Sequence, residues 1–91
     1  MEKYLVVIQK SNKNYGAYSP DVLGCVATGK TIEETLQNMH SALEFHLEAM
    51  AEDAEDLPIA KGLSYYLSQK EPFAESSDFI TNITVRLPQL V

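Results

Sequence analysis

Apolar residues recur along this chain with two different periods. Near the N-terminus, Tyr4 to Gln9 (YLVVIQ) is a short β-branched and aromatic run, which predicts a strand buried on at least one face. The polar cluster Lys10 to Asn14 turns the chain. Tyr15 to Ser19 then alternates, so Tyr15, Ala17 and Ser19 share one face while Gly16 and Tyr18 share the other. After a turn at Pro20-Asp21, Gly24 to Thr28 reads as a third strand that Gly29-Lys30 breaks. Three short consecutive strands imply an antiparallel meander.

The period changes at Thr31. Glu34 follows three positions later, the spacing of a capping box, in which the threonine hydroxyl and the glutamate carboxylate each satisfy a free backbone amide. Ile32, Leu36, Met39, Leu43, Leu47 and Met50 then recur at steps of three and four, with Ala42 and Phe45 widening the stripe. Glu33, Gln37, Ser41, Glu44, Glu48 and Glu52 line the other side. One amphipathic helix laid across the sheet buries both apolar faces. Beyond Asp53 the pattern decays into a linker at Asp56-Leu57-Pro58, a short helix at Leu63 to Gln69 and a fourth strand at Asp78 to Leu87. The expected class is α+β, in the order β-β-β-α-β.

Composition adds bounds. Ninety-one residues hold one modest domain, taken as 1–91, and 45% hydrophobic with 22% charged residues is ordinary globular material. The N-terminus enters a strand pattern with no charged-then-apolar leader, so a cytoplasmic location is expected. The lone Cys25 has no internal disulfide partner and reads as a buried thiol. With no visible metal or disulfide staple for so small a core, a homodimer or larger homo-oligomer is a natural way to bury more surface.

One motif points to different chemistry. Gly24 to Thr31, GCVATGKT, formally matches the phosphate-binding pattern GxxxxGK[ST], in which Lys30 and Thr31 would hold a nucleotide. The context argues against it. Cys25-Val26-Ala27-Thr28 favours extended backbone, no apolar strand leads into Gly24, and no later strand ends in a carboxylate that could hold magnesium. Other candidates are sparse. His40 and His46 are six apart, about 120° out of line on a helix, and so are not a metal pair. Tyr15, Tyr18, Tyr65 and Tyr66 lack a basic stripe for base stacking, and Asp21 reads as a turn residue ordering its local backbone. No catalysis and no cofactor or metal are expected.

Charge is regional. From Thr31 through Ala60 there are eight acidic residues and no Lys or Arg, whereas the remainder holds seven basic and five acidic ones. This acidic surface reads either as a solvated face or as a docking surface for a basic partner. A net charge of −6 opposes direct binding to a phosphate backbone.

The residues YLVVIQK, YGAYSPDVLGCVATGKTIEE and LQNMHSALEFHLEAM, in that order, resemble the HicB family of antitoxins. Ser19, Pro20, Asp21, Gly24, Cys25, Thr28, Gly29, Thr31 and Glu34 stand at matching motif positions, and Glu44 to Glu48 (EFHLE) fits the helix pattern. The likeness covers about the first 56 residues well and the last strand loosely. It implies a partial RNase H-like fold whose fourth strand returns beside the first, with the motif residues in structural roles. It also implies a protein that neutralises a small basic RNA-cleaving toxin of HicA type by occluding its active surface. Tyr4 to Gln9 lacks the carboxylate that a two-metal nuclease needs there. Glu44, Glu48, Glu52, Asp53, Glu55 and Asp56 are the expected toxin contacts, from the charge bias. Longer members add a DNA-binding helix-turn-helix or ribbon-helix-helix, whereas four residues follow Leu87 here, so no separate C-terminal DNA-binding domain is expected. The alternatives are a nucleotide-binding protein using Gly24 to Thr31 and an orphan structural or oligomerisation domain.

Overall fold

The computed structural model describes residues 1–88. Within them the order is β1 (Glu2–Lys10), β2 (Tyr15–Tyr18), β3 (Val26–Gly29), α1 (Ile32–Glu52), α2 (Leu63–Leu67) and β4 (Phe79–Val85). All pairings are antiparallel and the sheet order is β3-β2-β1-β4, so the last strand lies beside the first. This is the expected α+β, partial RNase H-like arrangement, with one long helix on the sheet. Among the described residues no helix is long and apolar enough to cross a membrane.

The unbroken apolar run of β1 explains its central place. Tyr4, Val6 and Ile8 pack with Met39, Leu43 and Leu47 of α1, and Leu5 and Val7, which alternate to the opposite face, are equally buried. Each fully buried aliphatic side chain in this set stabilises the fold by about 1.5–3 kcal/mol. On α1 the buried row is Thr35, Met39, Leu43 and Leu47, at steps of four. Phe45 is not part of the stripe as expected; it is 76% exposed. Two positions beyond Leu43, at about 100° per residue, it stands on the far side of the helix.

Both ends of α1 have defined caps. Thr31 Oγ1 accepts the Glu34 N–H at 3.0 Å, while the Glu34 carboxylate accepts from Lys30 N–H at 3.2 Å, one residue earlier than the reciprocal bond of a capping box. At the other end, Glu55 N–H reaches Met50 O at 2.9 Å and Ala54 N–H reaches Ala51 O at 3.1 Å. That is a Schellman closure, with Ala54 at φ +57° where glycine is usual.

The third strand departs from its expected bounds. Gly24 sits at φ +84° in a turn closed by Cys25 N–H to Val22 O, so the strand starts at Val26 and not at Gly24. Gly29, expected to break the strand, is its buried last residue. A Cβ there would lie 2.6 Å from both Thr35 N and Thr35 Oγ1, so the absence of a side chain is what lets β3 close against the start of α1. The other bounds shift less. β1 extends to both sides of the expected strand, the short helix ends at Leu67, and the final strand spans Phe79–Val85.

Gly29→Ala is therefore expected to destabilise the protein by about 1–3 kcal/mol through overpacking, measured by urea unfolding. Gly16→Ala, whose nearest atom to a new Cβ is Ala27 O at 3.9 Å, serves as the tolerated control. Equal losses for both would remove the close approach as the explanation.

Candidate functional site

The acidic side chains divide into two groups. Glu44, Glu48 and Glu52 lie at steps of four along one side of α1, and Asp53, Glu55 and Asp56 follow at and beyond its C-terminal cap. All are exposed except Glu44, which is half-buried and 3.2 Å from His40 Nδ1. Among the described residues no Lys or Arg pairs with any acidic residue. The α1 C-terminus has no basic residue in its last turn, so helix dipole and side chains present negative charge together.

The motif residues hold the neighbouring architecture. Ser19 is buried; its hydroxyl accepts the Asp21 N–H at 3.2 Å and its carbonyl accepts the Val22 N–H at 3.2 Å. Cys25 is buried, and desolvation pushes its thiol pKa up, the opposite of an activated nucleophile. Thr28 O accepts from Asn38 Nδ2 at 2.7 Å, pinning β3 to α1.

Asp21 reaches much further than a turn residue ordering its own backbone. Its carboxylate accepts Leu5 N–H at 3.0 Å, Lys61 N–H at 3.1 Å and the Tyr66 hydroxyl at 2.5 Å. β2 pairs only with Val7 to Lys10 of β1, which leaves Leu5 N–H without a strand partner, and Asp21 takes that place. Two further tyrosines tie the same late segment to the sheet, Tyr4 through its hydroxyl to Pro58 O at 2.8 Å and Tyr18 through its hydroxyl to Phe73 O. A buried tyrosine hydroxyl needs a partner, and that demand was the one signal in the sequence for these contacts.

The nucleotide pattern does not form a phosphate cradle. Val26–Gly29 is an extended strand paired with β2, which does not turn successive amides toward one centre, and Thr31 Oγ1 is engaged as the helix cap. Two shallow, open hollows of about 290 and 270 Å³ lie elsewhere, around Pro72 and Phe73. Among the described residues no group of three or more His, Cys, Asp or Glu is placed to hold a metal ion.

A family model described as the HicB-like antitoxin of bacterial toxin-antitoxin systems matches residues 4–89. The chain belongs to the HicB-like antitoxin family. One relative is the uncharacterized 14.9 kDa protein of the rep-hol intergenic region of Haemophilus phage HP1, 38% identical over 80 residues. That match takes in 88% of this chain but 57% of the phage protein, so this HicB-like chain spans little more than half of that relative's length. The N-terminal domain of the Burkholderia pseudomallei antitoxin HicB superposes with a TM-score of 0.74 at 22% identity, over 93% of this chain and 99% of that one. A chain of the HicA3 and HicB3 toxin-antitoxin complex gives 0.74 at 24% identity, over 92% and 98%. At these identities the structural likeness establishes the fold.

The tyrosine bonds give this HicB-like domain a testable alkaline signature. Tyr66 is pushed well above the ordinary tyrosine value of 10.0, first by desolvation and then by its bond to the Asp21 carboxylate; Tyr4 and Tyr18 are raised mainly by burial. A raised folded-state pKa contributes stability that is complete below the unfolded value of 10.0 and is lost as pH rises toward the folded value. Unfolding free energy should therefore fall above about pH 10, and Tyr66→Phe should fall less steeply while losing about 1–3 kcal/mol at neutral pH. A variant with the same alkaline slope as the parent would count against the Tyr66 to Asp21 bond.

Proposed function

We propose that this chain binds a small, basic, RNA-cleaving toxin of HicA type and neutralises it by covering its active surface. Membership of the HicB-like antitoxin family carries this reading. A similarly folded chain comes from a complex of toxin and antitoxin, HicA3 with HicB3, which supports the same class of partner. The contact surface would be Glu44, Glu48, Glu52, Asp53, Glu55 and Asp56, whose uncompensated charge attracts the basic groups that such a toxin uses to hold RNA.

The chain acts as a binding protein and not as a catalyst. It works in the cytoplasm, as one HicB-like unit, in a homodimer or larger assembly. At a net charge of −6 the domain is poorly suited to contact DNA directly.

Co-expression with a HicA-type toxin should restore growth that the toxin alone arrests, and adding the purified chain should stop RNA cleavage at roughly one chain per toxin. Unchanged cleavage with the chain in excess would reject the function. Reversing Glu48, Glu52, Glu55 and Asp56 to Lys should weaken toxin binding by about tenfold or more at moderate ionic strength and flatten its salt dependence. Unchanged affinity and salt slope would reject the acidic surface as the contact.

A further inference from the structure

We propose that Phe45 is the apolar anchor of the acidic surface, inserting into a small hollow rimmed by Lys or Arg on the basic partner; this rests on the toxin-binding reading above. The fold itself makes no use of the ring. Phe45 is 76% exposed, and of the three phenylalanines it is the most exposed, with Phe79 at 51% and Phe73 partly buried. It stands on the outer side of α1, opposite the row Thr35, Met39, Leu43 and Leu47 that packs on the sheet.

Its helical neighbours leave it standing clear. The positions three and four residues away are Ser41, Ala42, Glu48 and Ala49, three of them too small to cover an aromatic ring. Glu48, one turn on, is the acidic neighbour of the ring, and Glu52 follows on the same side a turn further; no Lys or Arg among the described residues pairs with either. An exposed aromatic ring bordered by like charges has the anatomy of an interface centre: a large side chain that loses its water on contact, with polar groups at the rim. The charge selects the occupant, since an acidic or neutral partner gains nothing from that rim, while an arginine can pair with Glu48 or Glu52 and stack its guanidinium on the ring. The ring also accounts for specificity that charge alone does not supply, because exposed ion pairs contribute little each.

The test uses the full chain and a catalytically inactivated HicA-type toxin, with affinity measured by calorimetry across a salt series. Phe45→Ala should weaken binding by about tenfold or more with the salt slope unchanged, as expected for an apolar anchor. Phe45→Tyr should retain most of the affinity, and neither change should move the thermal midpoint, since the ring is outside the core. Glu48→Lys should weaken binding and flatten the salt slope. Parent-like affinity for Phe45→Ala, where Glu48→Lys is impaired, overturns the anchor while leaving the toxin-binding function intact. Absence of binding by the unaltered chain overturns both. Loss of self-association in Phe45→Ala, seen by sedimentation with toxin affinity intact, would assign the ring to contacts between copies and also overturn the proposal.

Discussion

Everything in this fold follows from a central strand that is apolar on both faces. Tyr4, Leu5, Val6, Val7 and Ile8 are consecutive and almost completely buried, so β1 must be covered from two sides. Helix α1 covers one side with its row of Met39, Leu43 and Leu47. The other side has no second long helix, and the chain solves the problem with the irregular segment that follows α1. Leu57 and Ala60 still pack against the helix-side core, whereas Tyr18, which shares the far face with its cross-strand partner Val7, bonds Phe73 O. The segment therefore passes around the sheet between those points, and β4 then pairs with β1 along Glu2 to Ile8.

Asp21 stands where that crossing occurs. A strand with half of one edge unpaired leaves buried backbone donors without partners, and each such group costs about 1–3 kcal/mol. The Asp21 carboxylate satisfies Leu5 N–H and, in the same place, fastens Lys61 N–H and the Tyr66 hydroxyl. One turn residue thus completes the sheet edge and holds the covering segment. Ring packing extends the attachment, since Tyr66 lies 5.4 Å from Phe73 and 5.1 Å from Tyr65, with Lys61 over the Tyr65 ring. The path depends on polar tethers more than on periodic apolar contacts.

That difference decides what was legible in the sequence. Elements stabilised by their own periodicity could be read directly: the β1 run, the Thr31 cap and the row Met39, Leu43 and Leu47 have local signals. The family motif carried the fold and the family. The role of Asp21 could not be read, because its partners lie 16, 40 and 45 residues away and no local pattern encodes a bond at that range. Gly29 was misread for a related reason: glycine ordinarily breaks a strand, but here the approach of Thr35 requires it inside one. Phe45 failed differently, since counting apolar residues at steps of three and four admitted it to the stripe, whereas its angle from Leu43 places it outside.

The two sides of α1 answer to different demands, and the outer one works against local stability. Acidic residues gather at the end of the helix where the dipole favours cations, a preference worth about 0.3–1 kcal/mol per charge. Ala54 holds a left-handed conformation that favours glycine by about 1–2 kcal/mol. Phe45 exposes an aromatic ring beside Glu48, and among the described residues no Lys or Arg pairs with the acidic side chains of this face. None of these features improves the packing of the sheet, which uses only the inner row. Departures from the folding rules are expected where a protein functions or is strained, not where it merely packs. In this HicB-like domain the departures gather on the outer surface of α1 and its acidic extension through Asp56, the surface proposed above to meet the toxin. The polar tethers around Asp21 keep that extension in position, since it leads directly into the segment they hold.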